Sequence, residues 1–482
     1  MSNPTLHSNL IGGEWVAGPT AARDINPSNL DDVVGEFTQA SVAQVQTAVE
    51  AAQIAGPKWA KATAQTRGDL LDKVGTTMLA RESELGALLA REEGKTLAEA
   101  RGEVQRAARI FKYFANDCLR EHGDTIPSVR AGVTVETRRE AVGVVGMITP
   151  WNFPIAIPAW KVAPALAYGN AVLLKPADIA PASAWSMASI IAESGCPAGV
   201  FNLVMGPGRA VGEAMLKNSG INAISFTGSQ TVGAAVAAEC AARFRPFQLE
   251  MGGKNPLVVL DDADLATAVE VAVNGAFFST GQRCTASSRL IVTKGIYKKF
   301  LEAMIARLDG IVVGDAMDPK THIGPVVSES QLKQNLSYVD IGKDEGARLA
   351  KGGERINGPT PGYYMRPALF ADADNKMRIS QEEIFGPVAA MIPADSPEHA
   401  LELANDTPFG LSAGVCTTSL KYAKMFQADL KAGMVMVNLP TAGVELQAPF
   451  GGTKMSSFGP REQGPLARDF YTKVKTSYVH AG

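Results

Sequence analysis

A chain of 482 residues is too long to fold round one hydrophobic core, so two or three domains are expected. Its 46% apolar and 20% charged residues exclude a disordered or fibrous chain and fit a water-soluble globular protein. A net charge of −3 at pH 7, with no long Lys/Arg block, excludes a dedicated nucleic-acid binder.

From the N-terminus, Met1-Ser2-Asn3-Pro4 has no basic region followed by an apolar core, so no secretory signal is expected. Leu10-Ile11-Gly12-Gly13-Glu14-Trp15-Val16 alternates like an edge strand closed by a Gly-Gly turn. Helical spacing dominates from about 41 to 115, with Ala48, Ala51, Ala52 and Ala55, then Leu70, Leu71, Val74 and Met78, three and four apart. The charges Arg91, Glu92, Glu93 and Lys95 read as a solvated helix face. Residues 134–139 read as an exposed polar strand, of the kind that packs as an arm on another part or subunit. Residues 141–160 carry no charge, but three prolines and two glycines break any membrane-spanning helix, leaving a buried strand and a turn.

Strands and helices then alternate. Strands are predicted at 142–148, 171–174, 200–205 and 223–226, with helices at 155–167, 182–193, 210–217 and 232–243. A second series follows Glu250, with strands at 256–260 and 288–292 and helices at 265–278 and 297–308. A Gly/Pro-rich loop covers 351–362, and 472–480 is strand-like. This alternation predicts an α/β chain built on parallel, doubly wound sheets. The five cysteines, Cys118, Cys196, Cys240, Cys284 and Cys416, are odd in number and scattered, which fits a reducing, cytoplasmic compartment.

Several strand ends carry chemistry. Gly206-Pro207-Gly208-Arg209-Ala210-Val211-Gly212 approaches a dinucleotide fingerprint but is one residue too long and lacks an obvious acidic ribose partner. Phe226-Thr227-Gly228-Ser229 joins a strand to a helix, where a hydroxyl and free N–H groups suit a phosphate or serve as an ordinary cap. Lys175-Pro176-Ala177-Asp178 and Thr149-Pro150-Trp151-Asn152 end strands at the carboxyl edge, where open α/β sheets bind ligands. The Asn152 amide is a neutral donor suited to a developing oxyanion, and Glu250 precedes a flexible Gly252-Gly253 turn. In Gly281-Gln282-Arg283-Cys284, a thiol with an ordinary pKa of about 8.5 is a few per cent ionised at pH 7. A nearby cation lowers that pKa. Taken alone, the stretch reads more readily as a buried structural cysteine.

Taken in order, PWNFP at 150–154, FTGS at 226–229, LEMGGKNP at 249–256, GQRC at 281–284, EEIFGPV at 382–388 and PFGG at 449–452 resemble the aldehyde dehydrogenase superfamily over nearly the whole chain. The resemblance implies the aldehyde dehydrogenase fold. A Rossmann-like NAD(P) domain would take 1–118 and 142–252, an α/β catalytic domain 253–452, and a β-strand oligomerisation arm 119–141 and 453–482. A homodimer or homotetramer is implied.

The same resemblance makes Cys284 the nucleophile, Glu250 the general base, Asn152 the oxyanion donor together with the Cys284 N–H, and Lys161 part of a proton path. Cofactor contacts would come from Ile148, Thr149, Pro150 and Trp151, and from Lys175, Pro176, Ala177 and Asp178. Gly208, Gly212, Phe226, Thr227, Gly228, Ser229 and Val232 would add to them, as would Glu250, Met251, Gly252, Glu383 and Phe385. Lys175 and Glu383 would bind the two riboses, with Asp178 beside the adenosine ribose, Ser229 at the pyrophosphate and Phe385 at the nicotinamide. Asp178 favours NAD by repelling a 2′-phosphate, while Lys175 pulls toward NADP.

The form SSFGPREQG in the tail, with GQRCTASSR, most resembles bacterial members that oxidise 2,5-dioxopentanoate (α-ketoglutaric semialdehyde) to 2-oxoglutarate. Succinic or another semialdehyde and a coenzyme A-acylating reaction are the alternatives, and Glu250 argues against the last. Phe153, Ile157, Trp160, Arg283, Val444 and Phe450 are the expected substrate funnel. Three roles are open to Arg283: tuning the thiol, meeting an acidic substrate, or bracing the loop. No metal is expected, since His7, His122, His322, His399 and His480 are isolated.

Overall fold

The computed structural model describes residues 5–120, 123–480 and 482; the leader reading of residues 1–4 and His122 lie outside the described residues. The predicted alternation resolves into two large sheets. The first has eight strands in the order Ser457–Phe458, Phe247–Glu250, Ala223–Thr227, Val144–Ile148, Ala171–Lys175, Phe201–Leu203, Asn9–Ile11 and Glu14–Val16. The strands from Phe247–Glu250 to Phe201–Leu203 are parallel, and nearly all their residues are buried, as expected for strands covered on both faces. The N-terminal hairpin forms where it was read. Gly12 and Gly13 take φ of 62° and 90°, and Leu10 pairs with Trp15.

Register sets Lys175 beside Ile148, Ile148 beside Phe226, and Thr227 beside Glu250. The carboxyl ends that carry the motifs therefore open along one edge, the place where α/β sheets bind ligands.

The second sheet has seven strands, with Arg289–Thr293 and Pro256–Val259 near its centre. Alternate side chains there face opposite ways: Leu257 and Val259 join one apolar cluster, and Val258 and Leu260 another. A separate three-stranded sheet has Val133–Ala141 at its centre, between Thr472–His480 and Thr125–Ile126. The preceding tail residues do not join it. Ser457–Phe458 pairs with Phe247–Glu250 in the first sheet, and Phe470 and Tyr471 enter the main core.

One reading is corrected. Glu92, Glu93 and Lys95 are buried rather than solvated. Glu92 accepts from the N–H groups of Ala182 and Ser183, the latter at 3.0 Å, at the start of the Ala182–Glu193 helix, and Lys95 pairs with Glu103 at 2.6 Å. Arg91 pairs with Asp32 at 2.6 Å. No described helix is long and apolar enough to cross a membrane.

Candidate active site

The loop carrying Cys284 begins where the Leu265–Phe277 helix stops. Ser279, Thr280 and Gly281 follow with φ of 50°, 56° and 65°. For Ser and Thr this left-handed conformation costs about 1–3 kcal/mol each, so the surroundings must impose it. The Glu99 carboxylate accepts from the Ser279 N–H at 2.9 Å and its hydroxyl at 3.0 Å, and the Thr280 hydroxyl donates to the Gly324 carbonyl at 3.1 Å. At Gly281 a Cβ would lie 2.2 Å from the Gly386 carbonyl oxygen, so only glycine fits. Asn255 Nδ2 then clamps the carbonyls of Cys284 and Ala286 at 2.8 and 3.0 Å.

The turn presents Cys284 to a cavity of ≈ 330 Å³ shared with Asn152, Trp151, Met251, Gly252, Glu383 and Phe385. Burial pushes the Cys284 thiol up to about 12, with the carboxylates of Glu383 and Glu250 adding to the effect and the Cys284 and Thr285 N–H groups opposing it. Arg283 supplies no counterweight. Its guanidinium pairs with Glu99 at 3.1 Å and reaches Asn274 at 3.4 Å, and it is absent from the cavity wall. Of the three roles open to Arg283, these contacts match the bracing of the loop.

Asn152 Nδ2 donates to the Gln282 carbonyl at 3.0 Å, two residues before the thiol. That uses one of the two N–H groups an amide offers. Lys95 Nζ holds the Asn152 backbone carbonyl at 2.7 Å, and Glu103 takes the N–H groups of Ile155 and Ala156, both at 3.1 Å. Glu99 and Glu103 thus fix the two loops from one face of the Leu97–Asp117 helix.

Glu250 is buried at the end of its strand and accepts from the Ser457 hydroxyl at 2.6 Å. Ser457 is its direct partner across the strand pair, so the unusual tail supplies this donor. Burial, then the neighbouring Glu462, hold the Glu250 carboxyl well above the usual carboxylate range, against the pull of Ser457, Lys161 and Arg461. Lys161 is fully buried, donates to the Ser225 hydroxyl at 2.7 Å and pairs with Glu462. Glu462 carried no role in the sequence reading, because 301 residues separate it from Lys161.

The expected cofactor residues fall into two groups. Pro150, Trp151, Thr227, Gly228, Ser229, Met251, Gly252, Glu383 and Phe385 line the cavity with Cys284, and the Trp151 and Phe385 rings meet edge-on at 5.3 Å. Glu383 accepts from the Gly253 N–H at 3.0 Å, and a Cβ on Gly252 would lie 2.0 Å from its carboxylate. Ser229 caps the Gln230–Ala242 helix through the Val232 N–H at 3.5 Å. The second group lies beside Lys175, which is buried and donates to the Pro176 carbonyl at 2.8 Å. Ile148 and Lys175 flank Gly212, each 3.8 Å from where a Cβ would stand, and Gly208 has nothing within 4 Å. Ala177 and exposed Asp178 continue that strand end. The hydroxyls of Thr149 and Thr227 are buried without a partner among the described residues. Gln331 and Gln334 also line the cavity, and no local motif marks them.

Of the expected funnel, Ile157 lines the cavity. Trp160 and Phe450 are buried with ring centres 5.4 Å apart. Lys95 Nζ sits 4.0 Å over the Phe153 ring. The Val444 carbonyl accepts from Arg106 Nη1 at 2.5 Å.

A thiol beside an amide donor and a buried carboxylate, opening on a cleft at strand ends, is equipped for covalent chemistry on a carbonyl carbon. The Aldehyde dehydrogenase family matches residues 15–477, and the chain belongs to it as an oxidoreductase acting on aldehydes. It is 47% identical to the alpha-ketoglutaric semialdehyde dehydrogenase of Bacillus subtilis over 99% of each chain. It is 43% identical to the alpha-ketoglutarate semialdehyde dehydrogenase of Haloferax volcanii, again over 99% of each. The crystal structure of betaine aldehyde dehydrogenase from Staphylococcus aureus in complex with NAD+ matches it with a TM-score of 0.96 at 34% identity, covering 99% of this chain and 95% of that one.

Proposed function

We propose that this chain oxidises 2,5-dioxopentanoate to 2-oxoglutarate with NAD, through a covalent intermediate on Cys284. The observation that carries the chemistry is the shared cavity of Cys284, Asn152, Glu383 and Phe385; the substrate rests on the two semialdehyde-oxidising relatives. The residues fit a dinucleotide. Open ground beside Gly208, with the small Gly212 against the buried Lys175, suits a ribose and its phosphate, and the orphaned Thr149 and Thr227 hydroxyls lack partners that such a ligand can offer. Lys175 and Glu383 would hold the riboses, Ser229 the pyrophosphate, and Trp151 and Phe385 the nicotinamide, which supplies a hydride acceptor.

In this reading the Cys284 sulfur attacks the aldehyde carbon as its proton leaves. The carbonyl oxygen becomes an oxyanion held by the free Asn152 N–H and the Cys284 N–H, a stabilisation worth about 2.7–4 kcal/mol per donor. Oxidation leaves a thioester on Cys284. Glu250 takes a proton from the water that attacks this thioester, the thiol leaves, and the carboxylate product departs. Burial and then Glu462 raise the pKa of the Glu250 carboxyl, so it must ionise before it can take that proton, and Lys161 and Glu462 are the charges that bear on it.

We further read the Thr472–His480, Val133–Ala141 and Thr125–Ile126 strands as the arm of a cytoplasmic homodimer or homotetramer, with the two large sheets forming the NAD and catalytic domains. The test is a panel of 2,5-dioxopentanoate, succinic semialdehyde, pentanal and benzaldehyde with NAD and with NADP. The highest kcat/KM is expected for 2,5-dioxopentanoate with NAD; equal values across the panel refute the substrate, and a higher value with NADP refutes the cofactor.

A further inference from the structure

Arg106 touches both Gln463 and Trp160, and each of the three carries a buried donor that the chain leaves unsatisfied. Arg106 projects from the Leu97–Asp117 helix, its guanidinium 5.9 Å from the centre of the Trp160 ring. Nη1 donates to the Val444 carbonyl at 2.5 Å and Nη2 to Gln463 Oε1 at 2.9 Å. Arg106 Nε, Trp160 Nε1 and Gln463 Nε2 are all shielded from solvent and have no acceptor among the described residues. A buried donor left in this state loses its hydrogen bond to water and gains nothing in exchange.

The charge is unmatched as well. Lys95, Lys161 and Arg283 each face an acid at ion-pair distance, whereas no described carboxylate pairs with Arg106. Burial lowers the Arg106 pKa, opposed by Glu103 and by Cys284 itself, so the guanidinium lies within electrostatic reach of the thiol.

We propose that Arg106, helped by the Trp160 and Gln463 N–H groups, binds the distal carboxylate and adjoining oxo group of a semialdehyde whose aldehyde carbon lies at Cys284. This rests on the reading of the substrate as an anionic semialdehyde. A 2-oxo acid brings three acceptor oxygens to three orphaned donors, and the planar guanidinium suits a carboxylate. Entry requires Arg106 to shift toward the ligand. An aliphatic aldehyde leaves the donors unpaired, which is how a polar site rejects an apolar analogue.

Two measurements test it. In an enzyme that prefers 2,5-dioxopentanoate, Arg106→Gln lowers the ratio of kcat/KM for that substrate to kcat/KM for pentanal by about 10- to 100-fold, chiefly through KM, and Arg106→Lys restores part of it. Equal loss on both aldehydes marks a loop brace and overturns the proposal, as does no loss. Independently of turnover, 2-oxoglutarate should protect Cys284 from iodoacetamide in the wild type and not in Arg106→Gln; no protection in the wild type, or equal protection in both, overturns it. Protection that depends on Arg106, in an enzyme oxidising pentanal as fast as 2,5-dioxopentanoate, supports the anion site and sinks the substrate reading. A preference for 2,5-dioxopentanoate unaffected by Arg106→Gln sinks the anion site alone.

Discussion

With its pKa near 12, the Cys284 thiol is protonated at neutral pH, because burial and two carboxylates disfavour the thiolate. Glu383 itself is raised to about 7 by burial, so above that pH it is ionised and opposes ionisation of the thiol. Glu383→Gln removes the charge, lowers the thiol pKa and should speed iodoacetamide labelling several-fold at pH 8.5, with the gain fading below pH 7. In the wild type the labelling rate should climb with pH beyond 10 without a plateau; a plateau near 8.5 would contradict the burial argument. The base responds to its own neighbour. Glu462→Gln withdraws a negative charge from Glu250 and leaves Lys161 unopposed, so the alkaline rise in thioester hydrolysis should move to lower pH. Lys161→Met should move it up. Both are read from single-turnover product release across pH 6–10.

At the scale of one element, the Leu97–Asp117 helix shows what was legible and what was not. Asn152 and Glu250 stood in contiguous motifs at strand ends and Cys284 in one on a loop after a helix, where local sequence dictates the turn. Glu99, Glu103 and Arg106 lie on a surface-like helix, and nothing local separates them from solvated charge. Their partners, Ser279, Ile155 and Val444, lie 180, 52 and 338 residues away. The available signal was the spacing itself: positions 99, 103 and 106 share one helical face, the periodicity used to find the apolar stripe. Glu103→Ala removes the 2.6 Å partner of buried Lys95, leaving it Glu93 at 3.8 Å, and unties Ile155 and Ala156. It should cost about 3–5 kcal/mol, read as a lower denaturation midpoint, together with a fall in kcat as Asn152 loses its support. Glu103→Gln keeps an acceptor for the N–H groups and should lose less. Equal damage from both, or none, refutes this role.

Across the whole molecule, parallel register was predictable from the alternation of strand and helix, and it aligns the motif-bearing strand ends along one edge. The path of the tail was not: a two-residue strand pairing over 207 residues with Glu250 leaves no periodic trace. The Thr472–His480 strand lies at the edge of its sheet and exposes Val474, Tyr478 and Val479. An open edge of this length and apolarity normally finds a partner. If the proposed arm joins subunits, replacing Val474 and Tyr478 by Glu should reduce the mass in sedimentation; an unchanged mass refutes the arm.

With Thr472–His480 as the proposed oligomer arm, residues 457–480 would also tie assembly to chemistry mechanically. One run of chain gives Ser457 to Glu250, Glu462 to Lys161 and Gln463 to Arg106, and then leaves the core as the exposed edge strand Thr472–His480. The thiol, its strained turn and Asn152 hang from a different support, the Leu97–Asp117 helix. Loss of a partner on the proposed arm would therefore slacken hydrolysis before it touches attack. Enzyme diluted until its subunits part should still give a full burst of NADH, followed by a steady rate that falls with time.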